Sequence, residues 1–324
     1  MKLLSLILTL SLSLLHLASA YTNPIRNPGG ADPFITKSGD GYYYLLSTEW
    51  DSVRISRALT IEGLKTAPSK VIYQSTATNR CCNVWAPELQ WMGDRWYLYF
   101  TAGGDANLDN QRAHVARGGV SAWDDPYTYV GAMSNQWSID GSVLRFNAPW
   151  GNHFVYSCFN GLQYQSICIQ KLANDNVSLV GAVSVISQPT ASWERQQHPV
   201  NEGPAPLYMG GKTHLAISAS YCWSPAYCLG LLTWNGSGNP VQVSSWTKSG
   251  GCVFKSANGH YGTGHNSFFT AADGQIYNTF HATSNAAGAC DDNRYAMVQP
   301  VTLSNGNPNF GVPAPFSQAF TEPA

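Results

Sequence analysis

The sequence predicts an all-β fold, a single-domain five-bladed β-propeller, on three observations. Strand-like runs recur five times at nearly constant spacing, a turn precedes each of them, and helical periodicity is nearly absent beyond residue 20.

The runs are Tyr42–Leu46, Trp96–Phe100, His153–Tyr156, Thr213–Ile217 and Ile276–Phe280, with starts 54, 57, 60 and 63 residues apart. The preceding turns are Ser38–Gly41, Met92–Asp94, Pro149–Asn152, Met209–Lys212 and Asp273–Gln275, supplying the residues that hairpins require. Ahead of each turn stands an apolar strand with a polar opening: Ala31–Ile35, Ala86–Gln90, Asp140–Leu144, Glu202–Leu207 and His265–Phe269. A repeat of about sixty residues with several strands per unit is the pattern of a propeller blade, and closing five units in a ring hides most sheet edges. A β-sandwich of irregular strands would not produce this spacing.

Residues 1–20 read as a secretory leader: Lys2, an apolar run from Leu3 to Leu17, then Ala18, Ser19 and Ala20 at the cleavage position. The run is short for a membrane span, and no second apolar stretch approaches about 18 residues. Residues 21–324 are therefore expected to form one secreted, extracellular domain, most simply a monomer. With 18 basic and 19 acidic residues the net charge is -1, which excludes the electrostatic footprint of a nucleic-acid binder or of an acidic membrane surface. Aromatic residues make up 12%, including 11 Trp, a composition suited to stacking on the flat apolar faces of sugar rings.

Eight cysteines in a chain of this kind imply disulfides rather than zinc, because neither Cys158 to Cys168 nor Cys222 to Cys228 has short metal-ligand spacing. Those two pairs are expected as local staples, leaving Cys252 with Cys290 and the adjacent Cys81 with Cys82. Asn176-Val-Ser178 and Asn235-Gly-Ser237 are glycosylation sequons.

In a propeller the innermost strand of each blade begins beside the axis, so residues at equivalent strand openings meet around one pocket. Here the openings hold Asp32, Glu88, Asp140, Glu202 and His265. Paired carboxylates are what glycosidic cleavage needs, one protonated to assist the leaving oxygen and another ionised to activate water or attack the anomeric carbon. Clustering and burial raise one carboxyl pKa while a cationic partner lowers another, and Arg294 is the candidate cation. For Glu88 a turn or capping carboxylate is the competing reading.

The same openings resemble glycoside hydrolase family 43, especially its extracellular arabinofuranosidase branch. The matching segments are Ala31-Asp-Pro-Phe34, Asn83-Val-Trp-Ala-Pro-Glu88, Ser138-Ile-Asp-Gly-Ser142, Asn201-Glu-Gly-Pro204 and Gly262-Thr-Gly-His-Asn266, spread over almost the whole of residues 21–324. The resemblance implies that Asp32 is the general base, Glu202 the general acid, and Asp140 the residue that orients and tunes the acid. It further implies an inverting single displacement in a catalytic domain without an organic cofactor, acting on arabinan or arabino-oligosaccharides. A β-xylosidase, an endo-arabinanase and an arabinoxylan-debranching enzyme are alternatives of the same class. A non-catalytic carbohydrate-binding propeller is the alternative of another class, although it would not require three carboxylate motifs together.

In similar enzymes the histidine matching His265 lies on the axis below the sugar and often faces a hydrated calcium or other small ion, so a metal role at His265 is an expectation; His153, His214 and His281 lie within strand runs and read as structural. Trp85 is the candidate stacking wall for a sugar ring, and Trp50 a second candidate for the same purpose.

Overall fold

Alternate side chains of a strand point to opposite faces, so a strand held between two sheets must be apolar at nearly every position. That is what the five runs do in the computed structural model, which describes residues 19–105 and 107–323. The expected leader lies outside the described residues apart from Ser19 and Ala20. In the first blade, Tyr44 and Leu46 enter a core shared with Leu98 and Phe100 of the second, while Tyr43 and Leu45 face Phe269 and Tyr277 of the fifth. Tyr97 and Tyr99 in turn meet Phe154 and Tyr156 of the third blade, Val155 meets Leu215 and Ile217 of the fourth, and Ala216 lies in one core with Phe280 of the fifth. Five cores thus fill the five gaps between neighbouring blades. Each fully buried apolar side chain contributes about 1.5–3 kcal/mol.

Every blade is a four-stranded antiparallel sheet in sequence order, innermost strand first. The first comprises Phe34–Lys37, Tyr43–Leu46, Ser52–Ala58 and Ser69–Gln74. The second comprises Cys82–Trp91, Trp96–Gly103, Arg112–Arg117 and Thr128–Ala132. Ser138–Leu144, His153–Cys158, Ser166–Leu172 and Leu179–Ser187 form the third. Asn201–Met209, Lys212–Ala219, Cys228–Trp234 and Trp246–Lys248 form the fourth. Tyr261–Thr270, Ile276–Thr283, Tyr295–Ser304 and Asn307–Asn309 complete the ring.

A separate two-stranded sheet joins the ends, pairing Ala20–Thr22 with Ala319–Thr321, and Tyr21 stacks on Phe320 with centroids 5.3 Å apart. The chain then runs along the third strand of the fifth blade, where the Ile25 N–H donates to the Ala296 carbonyl and the Ala296 N–H to the Arg26 carbonyl, both at 2.9 Å.

Two of the four expected disulfides need correction. Cys158–Cys168 and Cys81–Cys82 form as anticipated, but Cys222 bonds Cys290 and Cys228 bonds Cys252, with Cα separations of 5.5 and 5.9 Å. Cys228 opens a strand alongside which segment 252–254 runs, fixed by the Leu229 N–H to Phe254 carbonyl bond at 2.9 Å. Cys222 instead sits in the loop before that strand, against the fifth-blade loop that carries Cys290. The two loops touch closely, since a Cβ on Gly288 would lie 2.5 Å from the Trp223 carbonyl oxygen.

Candidate active site

Four of the innermost strands are interrupted by a bulge and the first is preceded by a kink, and at each of these places one residue takes a positive φ: Asp32 at 49°, Ala86 at 43°, Asp140 at 58°, Gly203 at 53° and His265 at 38°. The ladder register shifts between Trp85 and Glu88, Ile139 and Ser142, Glu202 and Ala205, and Gly264 and Ser267. Such a conformation costs of order 1 kcal/mol or more for a residue with a Cβ and re-aims the side chain that follows the kink. Three of the five are followed by proline, namely Pro33, Pro87 and Pro204, which has no amide to lose from the broken ladder. Gly141 follows Asp140 because a Cβ there would meet the Phe154 ring at 2.1 Å.

The bulges are wired from blade to blade. Thr48 Oγ1 accepts from the Ala86 N–H at 2.9 Å, Thr101 Oγ1 from the Asp140 N–H at 3.0 Å, and Ser218 Oγ from the His265 N–H at 2.8 Å. His281 Nδ1 accepts from the Asp32 N–H at 3.1 Å, and Asp140 Oδ2 from the Gly203 N–H at 3.1 Å. The ring therefore closes from the fifth blade back onto the first.

Around the axis this brings Asp32, Asp140, Glu202, His265 and Arg294 into one cavity of about 420 Å³, walled by Trp50, Trp85, Trp137 and Trp223. Asp32 receives the Arg294 guanidinium on Oδ1 at 3.0 Å and the Thr48 hydroxyl on Oδ2 at 2.6 Å. Glu202 receives the Tyr227 hydroxyl on Oε1 at 2.8 Å and the Gln165 amide on Oε2 at 3.2 Å. The Tyr227 ring stacks on His281 at 5.7 Å and 6°.

The two carboxyls are driven apart. Burial alone would raise Asp32, but the Arg294 guanidinium and the imidazoles of His265 and His281 more than offset it and hold the group well below the usual carboxylate range. Arg294 is the lasting cation here, because burial lowers both imidazoles, His281 to about 4. His281 is accordingly neutral and uses Nδ1 as an acceptor. Glu202 is pushed up to about 7, chiefly by burial, and the Asp32 charge adds to the rise against the Tyr227 and Gln165 hydrogen bonds. Asp140 is raised well above the usual range by burial and by its carboxylate neighbours, Glu202 foremost.

Of the residues singled out in the sequence, Asp32, Asp140, Glu202, His265, Arg294, Trp85 and Trp50 all line this cavity. Trp50 stands edge-on to Trp85 at 5.9 Å and donates its indole N–H to Asp292. Glu88 does not belong to this group. The positive-φ residue of the second blade is Ala86, so Glu88 falls two positions further along its strand and lines a different cavity at the other end of the axis. Glu202 likewise precedes its blade's kinked residue, Gly203, rather than occupying it.

His265 Nδ1 lies 3.3 Å from Asp32 Oδ1 and 3.9 Å from Asp140 Oδ2. Calcium takes six to eight oxygen ligands, and among the described residues no group of three or more His, Cys, Asp or Glu side chains could hold an ion. The donor set at His265 does not fit a directly ligated metal. His281, read from the sequence as structural, instead touches Asp32. Thr48, Gln165 and Tyr227 also reach the carboxylates without having been singled out.

A family model described as glycosyl hydrolases family 43 matches residues 21–308. An extracellular exo-alpha-(1->5)-L-arabinofuranosidase of Streptomyces avermitilis is 35% identical over 90% of this chain and 63% of its own length. Alpha-L-arabinofuranosidase 43 of Humicola insolens is 34% identical over 88% of this chain and 62% of its own. The chain thus spans slightly less than two thirds of these curated relatives. A solved alpha-L-arabinofuranosidase from Lactobacillus brevis superposes with a TM-score of 0.85 at 30% identity, over 92% of this chain and 98% of that one.

Proposed function

The chain belongs to glycosyl hydrolases family 43, and from that premise we propose that it is a secreted, exo-acting α-L-arabinofuranosidase that releases terminal arabinose from α-1,5-arabinan or arabino-oligosaccharides. The observation that carries the reading is the opposite ionisation of two carboxyls in one cavity: Asp32 held as the anion by Arg294, Glu202 raised to about 7. Asp32 accepts a proton from water as that water attacks the anomeric carbon, and Glu202 delivers its proton to the departing glycosidic oxygen. The C–O bond to the leaving group breaks as the C–O bond to water forms, so the configuration inverts. Asp140 holds the Gly203 amide beside Glu202, and its closeness to Glu202 disfavours ionising both carboxyls together. Trp85 and Trp50 offer faces and edges to the sugar ring. Arabinose as the sugar, exo action and secretion are supported by the printed names of the relatives above, and secretion also by the leader expected at residues 1–20.

The test is incubation with linear arabinan, arabinoxylan and xylo-oligosaccharides, followed by identification of the released sugars. Monomeric arabinose from linear arabinan is the expected product. A ladder of arabino-oligosaccharides, xylose, or binding without release would each overturn the proposal.

A further inference from the structure

The innermost strands start at the Asp32 cavity and end at the opposite face of the ring, where a second cavity of about 350 Å³ opens. All five strands line it, through residues near their ends. Its floor is Glu88, whose Oε2 accepts from the Ser142 hydroxyl at 2.7 Å and from the Gln90 amide at 2.8 Å. Arg145 closes one side, held by its Nη2 donating to Gln90 Oε1 at 2.8 Å and by its backbone N–H donating to the Tyr208 hydroxyl at 2.6 Å. Two aromatic rings stand at the rim and are unusually open for their size, Trp91 at 40% and Tyr208 at 43% exposure.

The chemistry of this cavity is mixed rather than charged. Glu88 disfavours an anion, Arg145 disfavours a cation, and the ammonium of Lys37, which also lines the cavity, lies 4.9 Å from the centre of the Tyr43 ring, so neither a free phosphate nor a metal ion is matched by this set. A neutral molecule with vicinal hydroxyls suits it, because each hydroxyl can donate to a carboxyl oxygen and accept from a guanidinium N–H at once. Exposed aromatic rings beside such polar groups suit the apolar face of a sugar. The volume falls in the range of sites for small ligands, about 300–1,000 Å³.

We infer that this second mouth is a non-catalytic binding site for a neutral oligosaccharide, with Trp91 and Tyr208 as stacking surfaces and Glu88 and Arg145 as the hydroxyl anchors. That the saccharide is an arabino-oligosaccharide rests on the activity proposed above; that the site takes a neutral sugar does not. One chain would then hold polysaccharide at both ends of its axis.

Calorimetric titration of the full-length Glu202→Gln protein with α-1,5-arabinotriose and, separately, with xylotriose tests this, alongside sugar release by the unmodified enzyme. Two equivalents of arabinotriose are expected, and adding Trp91→Ala should weaken one of them about tenfold or more while sparing the other. Should Trp91→Ala fail to fold by circular dichroism, the isosteric Glu88→Gln carries the same test, with the same equivalent weakened. Binding that neither substitution alters, whether of one equivalent or two, overturns the inference whether or not arabinose is released. If the unmodified enzyme releases no arabinose yet a trisaccharide binds in a way that Trp91→Ala or Glu88→Gln weakens, the activity reading falls and the second site stands.

Discussion

The Arg294 guanidinium donates to Asp32 Oδ1 at 3.0 Å, a bond between the third strand's approach in the last blade and the kink that opens the first. Charge-assisted bonds of this kind contribute about 1.5–3 kcal/mol. Replacing the cation, Arg294→Gln, removes the main influence that keeps Asp32 ionised against its burial. The acid limb of the kcat/KM profile should move to higher pH, and kcat/KM at neutral pH should fall at least tenfold. An unmoved acid limb would show that Asp32 does not govern it.

Asp32→Asn and Glu202→Gln should each lose about 10²- to 10⁴-fold in turnover without loss of fold, because on the proposed mechanism each removes a proton-transfer group and little volume. Their responses to leaving group should differ. An activated aryl arabinofuranoside needs little protonation and should partly restore Glu202→Gln but not Asp32→Asn. Equal responses would contradict the assignment of acid and base, and proton NMR of the first-formed arabinose should show the inverted anomer.

Activity should persist well into acid and decline as pH rises through about 7, since Asp32 stays ionised at low pH whereas Glu202 must keep its proton. Tyr227→Phe deletes a hydrogen bond that favours the Glu202 anion, so the alkaline limb should move to higher pH. Asp140, raised well above the usual range by burial and by Glu202, keeps its proton while Glu202 titrates, so Asp140→Asn should leave the same limb where it is. A limb displaced by the first substitution and unmoved by the second is the expected result.

Peptide mapping without reduction should recover Cys222 joined to Cys290 and Cys228 joined to Cys252. Cys222→Ser with Cys290→Ser opens a closure of 68 residues and should cost about 2–5 kcal/mol in a denaturant melt. KM should rise as well, because Trp223 and Arg294 line the cavity from the two loops that the bond joins.

Blade number and strand order were legible because the second strand of every blade is buried on both faces, which forces runs such as Trp96–Phe100 to recur. The openings were legible for Asp32, Asp140 and His265, where the kinked residue itself carries the polar group. They misled for Glu88, because a bulge inserts residues that no hydrophobic pattern reveals, and the true equivalent, Ala86, is chemically silent. A usable signal was nevertheless present. Each apolar run is followed within two residues by a small polar or imidazole side chain, Thr48, Thr101, Ser157, Ser218 or His281, and four of the five accept an amide from the next blade. Ser157 instead donates to the Asn201 carbonyl at 2.9 Å. The disulfide exchange was illegible because proximity along the chain says nothing about which loop faces the neighbouring blade.

The bond from His281 back to the Asp32 amide gives the site a place in biosynthesis. A chain emerging amino-end first presents Asp32 early, Asp140 and Glu202 midway, and His281 and Arg294 near its end. Until that last quarter has been made and has docked, Asp32 lacks both the acceptor that sets its backbone and the cation that sets its charge. The carboxylate pair of the cavity is therefore complete in geometry and in charge only when the final blade seats.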